Sequence, residues 1–479
     1  MSAADYNREK AIVDQYLAAG FTVNNIHEHL DGCDVTFRKD GKSETVRLTN
    51  ADARKYLAAH LYYSQDRAIR IDENRLRETI ETFADFGRTE NNGVNRLCFS
   101  EEDLRVRDYF VQCCKQLGMS VKVDDLGNIY ATLEGLEDRP PIVIGSHMDT
   151  VRKGGRFDGV LGVIAGLEIV RTLVDHRIKP KYPITVVDFT NEEGARFEPA
   201  MMCSGIMAGK FDKEKMLLSA DEDGTTFGEA LATSGYQGDV ANRLKEAAAF
   251  LEMHIEQGPV LEQEGVSIGI VKGVVGMVCY EIAVHGQSNH AGTTPMPKRK
   301  DALRAAMHLI SELSGKLDSL DPDLVYTIGR FNVYPNVHTV IPNRVVFTLE
   351  ARHRNEEVVK RVEQIICENV ISTQDSPKSA VKLWERKTVW FDPGLCARLE
   401  KSAAALGYSW REMVSGAGHD AQFITEMVPT AMLFVPSVDG KSHCEEEFTP
   451  YEECAKGVNV LLHTVLGMLE ETVCEAAEQ

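Results

Sequence analysis

The chain is short of positive charge. Among its 479 residues Lys and Arg number 53 against 73 Asp and Glu, a formal net charge of −20. That balance argues against a nucleic-acid or anionic-membrane binder, either of which needs a basic face. Long apolar runs are also missing. A membrane span needs roughly 18 apolar residues, and the longest near-apolar stretch, Val160–Val170, falls short and contains Glu168. The opening MSAADYNREK is polar with no apolar core behind it, so no secretory signal is expected. The 11 cysteines include no CxxC pair and are expected as reduced thiols of a cytoplasmic protein. Adjacent Cys113 and Cys114 lie in a helical pattern and read as packing residues. Repeats and low-complexity segments are absent. What remains is a normal globular mix, 43% hydrophobic and 26% charged, which buries a full core. The length suits two or three domains.

Residues 1–70 read as a small separate extension of unknown role. A helix-like start is followed by CDVTFR and SETVRLT around KDGK, a hairpin signal. Asn50 is placed to cap a second helix through Leu61. His27 and His29 lack a third ligand and read as surface histidines. From Asn74 short apolar runs alternate with helices, which argues for an α/β domain with a largely parallel or mixed sheet. PIVIG and ITVVDF are near-continuously apolar, as strands buried on both faces should be. Residues 266–373 carry a different pattern, strand-helix-strand-strand-helix, and read as an inserted α+β module. The α/β pattern returns in 374–479, so the catalytic domain is expected to comprise 71–265 and 374–479.

Candidate chemistry collects at strand ends and in loops, where ligands gather in such sheets. His147 ends PIVIGSH. Asp158 lies in the Gly-rich turn GGRFDGV. Glu192 and Glu193 follow VVDFTN, His254 lies in EMHIEQGP, and His443 in GKSHCEEEF. Three imidazoles and three carboxylates suit two adjacent divalent cations with a shared carboxylate and one carboxylate left over as base. Such a pair can activate water and polarise an amide carbonyl, a poor electrophile by itself. The spare carboxylate can carry the proton from water to leaving nitrogen. Asp149 reads either as a ligand or as an acceptor that orients His147. The run 445–447 reads as a solvated loop.

The motifs GSHMDTV, GRFDGVLGV, TNEEGARF, HIEQGPVLE, GQSNHAGTTPM, SGAGHDA and VPS with SH occur in one order. Over about residues 72–470 the chain resembles the N-carbamoyl-L-amino-acid hydrolase and allantoate amidohydrolase family, a branch of the co-catalytic zinc aminoacylase and carboxypeptidase clan. The resemblance implies a mixed-sheet catalytic domain and a lid and dimerisation module at 266–373. It implies one cation on His147, Asp158 and His254, and a second on Asp158, Glu193 and His443, with zinc the first choice and manganese, cobalt or nickel open. Glu192 becomes the general base. His290, in NHAGTTPM, becomes an oxyanion donor that reaches the partner subunit's site in a homodimer. Arg352 becomes the substrate-carboxylate arginine, helped by the Gly418 amide, with His419 and Asp420 behind the ligands.

The implied reaction is hydrolysis of a linear C–N bond in a small anionic N-carbamoyl amino acid, giving amino acid, CO2 and ammonia. Allantoate or ureidoglycolate hydrolysis, and N-acyl amino acid or dipeptide cleavage, are the alternatives. The chain departs from the family at Thr339, where Asn is usual before Val-Ile-Pro; Asn336 or His338 could substitute. Cys279 and Tyr280 stand where many members carry arginines, and Lys441 and Cys444 flank SH. These departures touch the substrate pocket and leave the ligand set intact.

Overall fold

The computed structural model describes residues 3–29, 31–39, 42–54, 57, 69–373 and 377–475. The chain divides into two compact units, Met1–Ile71 with Leu462–Gln479, and Asp72–Leu461. In the first, helix α1 (Ala3–Ala18) accompanies an antiparallel sheet of β1 (Thr22–His29), β2 (Gly32–Lys39) and β3 (Lys42–Leu48). The expected hairpin is β2–β3, with Lys39 opposite Lys42. β1 is an addition to that reading: TVNNIHEH lacks apolar alternation, and pairing with β2 makes it a strand. Val13, Val35, Phe37 and Leu48 form the core. The Asn50 side chain accepts the amides of Asp52 and Ala53, as a cap should. The rest of the helix expected through Leu61 lies largely outside the described residues.

The second unit is built on a nine-stranded mixed sheet. Its strands are β4 (Ser120–Val123), β5 (Ile129–Leu133), β6 (Ile142–His147), β7 (Ile184–Phe189), β8 (Ala249–Ile255), β9 (Ile268–Val274), β14 (Val389–Trp390), β15 (Trp410–Ser415) and β16 (Thr430–Val435). The order is β14-β9-β16-β8-β6-β7-β5-β4, with β15 on β9. β7, β6, β8 and β16 are mutually parallel and every residue in them is buried. Helix α2 (Glu73–Ala84) starts at Asp72 and α3 (Glu101–Gln116) at Ser100, each cap side chain accepting an amide of the first turn. Helix α4 (Val160–Asp175) is apolar almost all round and packs on β6, β7 and β8.

A separate four-stranded antiparallel sheet, β11 (Val325–Tyr334), β12 (Arg344–His353), β10 (Gly276–His285) and β13 (Lys378–Arg386), is covered on one face by α5 (Ala302–Leu317) and α6 (Glu356–Asn369). Alternation decides which residues face the helices. Val278, Tyr280, Ile282 and Val284 of β10, with Val345, Phe347, Leu349 and Ala351 of β12, meet Ala306, Leu309 and Leu313 of α5. The intervening residues form the opposite face.

The boundaries expected at 266 and 373 are corrected by the sheets. β9 pairs with β16 and β15 in the large sheet, so the smaller module begins at Gly276; β13 belongs to it, so it continues to Arg386. SIGIVKGVVGMVCYEIAVHG reads as one alternating run, and only hydrogen-bond partners show that it divides between two sheets. After β14, helix α7 (Pro393–Leu406) packs on β9 and β16, and helix α8 (Tyr451–Glu475) begins at the end of the unit. No helix among the described residues is long and apolar enough to cross a membrane. Cys33, Cys98, Cys203 and Cys279 are free, as are the adjacent, buried Cys113 and Cys114.

Candidate metal centre and substrate pocket

Three parallel neighbours deliver most of the cluster to one rim. His147 is the last residue of β6, Glu192 and Glu193 follow the end of β7, and His254 lies near the end of β8. Asp158 stands just before α4. Gly159 separates them at φ +66, and a Cβ there would lie 2.2 Å from ring atoms of His147. Glycine is required twice over, by backbone hand and by space. His443 comes from the loop after β16.

Two groups result. His147, Asp158 and His254 form one; Asp158, Glu193 and His443 form the other; within each, ligand atoms lie within 4.8 Å of one another. Asp158 Oδ1 is 3.1 Å from His254 Nε2 and 3.8 Å from His147 Nε2. Asp158 Oδ2 is 3.4 Å from His443 Nε2, which is also 3.4 Å from Glu193 Oε2. The Nδ1 atoms of His147 and His254 face the carbonyls of Asp149 and Ile255 at 2.9 and 3.0 Å. Each Nδ1 therefore donates, and Nε2 is turned to the cluster. Glu192 belongs to neither group; its Oε2 is 3.5 Å from His147 Nε2.

The surroundings hold these groups in place. Glu447 corrects the expectation of a solvated 445–447 loop: it is 2% exposed, its Oε1 accepts the amides of Phe157 and Asp158 at 3.0 Å, and its Oε2 accepts Ser442 Oγ. Asp149 orients His147 through its backbone carbonyl. Its carboxylate instead accepts the amides of Glu192 and Glu193 at 3.1 and 3.2 Å. His419 packs edge-on against His254, its Nε2 3.0 Å from Ser415 Oγ, and Asp420 accepts Ser204 Oγ. His419 lines the same pocket as the cluster, and Asp420 is buried next to it. Two fully buried arginines brace the rim: Arg96 donates to Met148 O, and Arg107 joins Asp103, Gly127 O and Thr190. Asn191, Met201, Gln257 and His443 all have φ between 53 and 60, and such left-handed non-glycine residues gather at functional sites.

The electrostatics test whether cations fit. Burial pushes Glu192 and Glu193 well above the carboxylate range, and neighbouring carboxylates push further, Asp420 and Glu193 on the first, Asp158 and Asp149 on the second. Burial also raises Asp149 to about 7 and lowers His147 to about 4. For Asp158 burial is outweighed by His254, His147 and His443, so its carboxyl lies below the usual range. For His254 burial is outweighed by Asp158, and its value rises to about 9. The rim holds more buried acid than its own imidazoles can balance. Gln257 donates to Asp158 Oδ2 at 2.8 Å while its Oε1 is buried without a hydrogen-bond partner. Imidazole and carboxylate donors around an excess of negative charge fit divalent cations. A further group, Asp321, Asp323 and His353, is different: Asp323 is paired to Arg354 at 2.7 Å and mostly exposed.

The cluster opens into a pocket of about 250 Å³ walled by both sheets. β10 sets Met277 between Arg352 on β12 and Arg386 on β13, and Cys279 between Glu350 and Trp384. Both rows lie on the sheet face away from α5 and α6. Arg352 donates to Glu350 and, at 2.7 Å, to Gly416 O. Gly418 lines the pocket, and a Cβ there would meet Met201 Cε at 2.6 Å and Arg386 Nη1 at 3.1 Å. His290 and Thr339 are not brought to this pocket. Both are exposed and adjacent, with the Ala291 amide on Thr339 O and a bridge from His290 to Val340. His290 Nδ1 accepts the Gly292 and Thr293 amides, which leaves Nε2 as its donor. Asn336 and His338, exposed in the same loop, do not line the pocket either. Sequence reasoning missed Arg386, Trp384, Met277 and Gln257. Gln257 stands inside the motif HIEQGP; the others become visible only through strand register.

Residues 143–467 match the model of peptidase family M20/M25/M40. The chain belongs to that family and is a metal-dependent amidohydrolase, a hydrolase acting on amide C–N bonds. Within the family it is similar to an N-carbamoyl-L-amino-acid amidohydrolase of Rhizobium meliloti, 37% identical over 84% of this chain and 97% of the relative. It is 35% identical to the allantoate amidohydrolase of Bacillus subtilis, over 81% of this chain and 96% of the relative. The crystal structure of an amidase of the hydantoinase/carbamoylase family from Burkholderia multivorans matches with a TM-score of 0.76 at 41% identity, covering 84% of this chain and 98% of that one.

Proposed function

We propose that the protein hydrolyses an N-carbamoyl amino acid or a related ureido acid. The observation that carries this is the pair of ligand groups sharing Asp158, with Glu192 beside them and outside both. His147, Asp158 and His254 would hold one divalent cation, and Asp158, Glu193 and His443 a second, zinc being the first choice. When bound, the cations would polarise the scissile carbonyl and acidify a water.

The chain's own residues do the rest. Glu192 is buried against an apolar and acidic wall, which raises its affinity for a proton. It takes one from the attacking water and returns it to the departing nitrogen. The C–N bond to the amino acid breaks, and the carbamate released decomposes to CO2 and ammonia. Arg352 and Gly418 face the carboxylate end of the substrate. The module of residues 276–386 acts as lid and dimer contact. In a homodimer, His290 of the partner subunit donates its Nε2–H to the developing oxyanion, because its Nδ1 is committed to backbone amides. Thr339, on the neighbouring loop between β11 and β12, makes a polar contact beside it.

The test is a substrate panel on cation-loaded protein: N-carbamoyl, N-formyl and N-acetyl forms of one amino acid, with allantoate and ureidoglycolate, read by ammonia and amine release. Preference for a ureido substrate is expected. Preference for the acetyl form would move the reading to an aminoacylase. Glu192→Gln should keep its cations and lose roughly 10²–10⁴ in kcat.

A further inference from the structure

Two guanidinium groups share the pocket wall, and their charges are in different states. Arg352 is already balanced: its Nε and Nη2 both reach Glu350 Oε1, at 2.6 and 2.5 Å, and its Nη1 is on Gly416 O. Arg386, on the other side of Met277 in the same row, has no hydrogen-bonded or ion-paired partner among the described residues. It is half-buried. Its guanidinium lies over the rings of Trp384 and Phe423, 5.8 and 5.7 Å from their centroids, so its plane is held before anything binds. It borders Gly418. Glu192 and Glu350 act on this guanidinium across the pocket, but neither hydrogen-bonds or ion-pairs with it, so its N–H groups stay open to an anion from outside.

We propose that Arg386 supplies the charge that selects the substrate's carboxylate, so that the substrate class is a ureido or amido acid with a free carboxylate and not a neutral amide. Arg352, neutralised by Glu350, serves as a positioning residue that offers its remaining N–H groups to the same anion. This rests on the ureido-acid substrate proposed above and names the residue that makes it specific.

The experiment measures kcat and KM for an N-carbamoyl amino acid and for its carboxamide, with wild type, Arg386→Gln, Arg386→Lys and Arg352→Gln, all cation-loaded and checked for folding by circular dichroism. Wild type is expected to prefer the acid. In Arg386→Gln the KM for the acid rises roughly tenfold to a hundredfold, the size of a lost charged hydrogen bond. The change in kcat is smaller, and the acid-to-amide preference falls by the same factor. Lys restores part of it, because charge returns without the fork. Arg352→Gln lowers the preference less. If Arg386→Gln does not fold, the Lys variant carries the test, with a severalfold loss of preference expected. Preference kept in the Arg386 variants but abolished in Arg352→Gln overturns the inference. So does an Arg386→Gln enzyme whose pH profile of kcat moves while its preference does not. A wild type that cleaves neither compound overturns the N-carbamoyl substrate proposed above, and this inference with it.

Discussion

The pocket has two unlike walls. One is the rim of the nine-stranded sheet, where His147, Asp158 and His254 are buried, Glu193 is half-buried, and both buried imidazoles are tied to backbone carbonyls through Nδ1. The other is one face of the four-stranded sheet, where Arg352, Arg386 and Trp384 are partly open to solvent. The rim is over-determined: Asp158 is held by its own amide on Glu447, by Ser442 and by Gln257. The face is set mainly by register: Arg352 is tied to Glu350 and Gly416 O, and Arg386 is held by ring contacts alone. The residues proposed for bond-making sit where many contacts fix them, and those proposed for recognition where fewer do.

Asp158→Asn should break the rim outright. Turnover is expected to vanish and both cations to be lost on desalting, as measured by metal analysis; two cations retained would disprove a shared ligand. Glu447→Gln comes next. It keeps the side chain's shape but removes the charge behind Asp158, and a 10–100-fold loss of cation affinity or activity is expected. Unaltered affinity would show that the Phe157–Asp158 turn holds itself.

Removing the cations sharpens the contrast through pH. In stripped protein His254 rises to about 9 and Asp149 to about 7, while Glu192 and Glu193 lie well above their usual values. All four bind protons more tightly folded than unfolded. The stability they contribute is therefore present at low pH and lost as pH rises through the folded values. His147, lowered to about 4, opposes this trend only below its ordinary value of 6.5. Between about pH 6.5 and 9 the melting temperature of stripped protein should fall, and added zinc should flatten the curve. A flat curve without metal would mean that the rim's charges are balanced in another way. The smallest effect is expected on the other wall. Glu350→Gln frees the charge of Arg352, so KM for an acid substrate should drop severalfold at constant cation content.

Legibility in the sequence followed the same division. Ligands at the ends of apolar runs could be read because buried parallel strands announce themselves and their ends share a rim. Glu447 could not, since three consecutive glutamates look solvated until one is seen turning inward to two amides. Asp149 reads from sequence either as a ligand or as an acceptor for His147, and which of its oxygens meets that imidazole depends on a loop's path. His290 and Thr339 stand together on an exposed edge outside the pocket, a placement that no local pattern in NHAGTTPM or NVHTVIPN announces.

The sequence by itself determined the α/β class, the residues able to bind cations and the spare carboxylate, because these depend on residue type and local hydrophobic pattern. Only tertiary structure decided that β9 leaves the smaller sheet, that Arg386 shares a row with Arg352, and that one of these cations is already neutralised. Those facts depend on which strands pair and in what register, and hydrogen bonds between distant segments leave no trace in local composition.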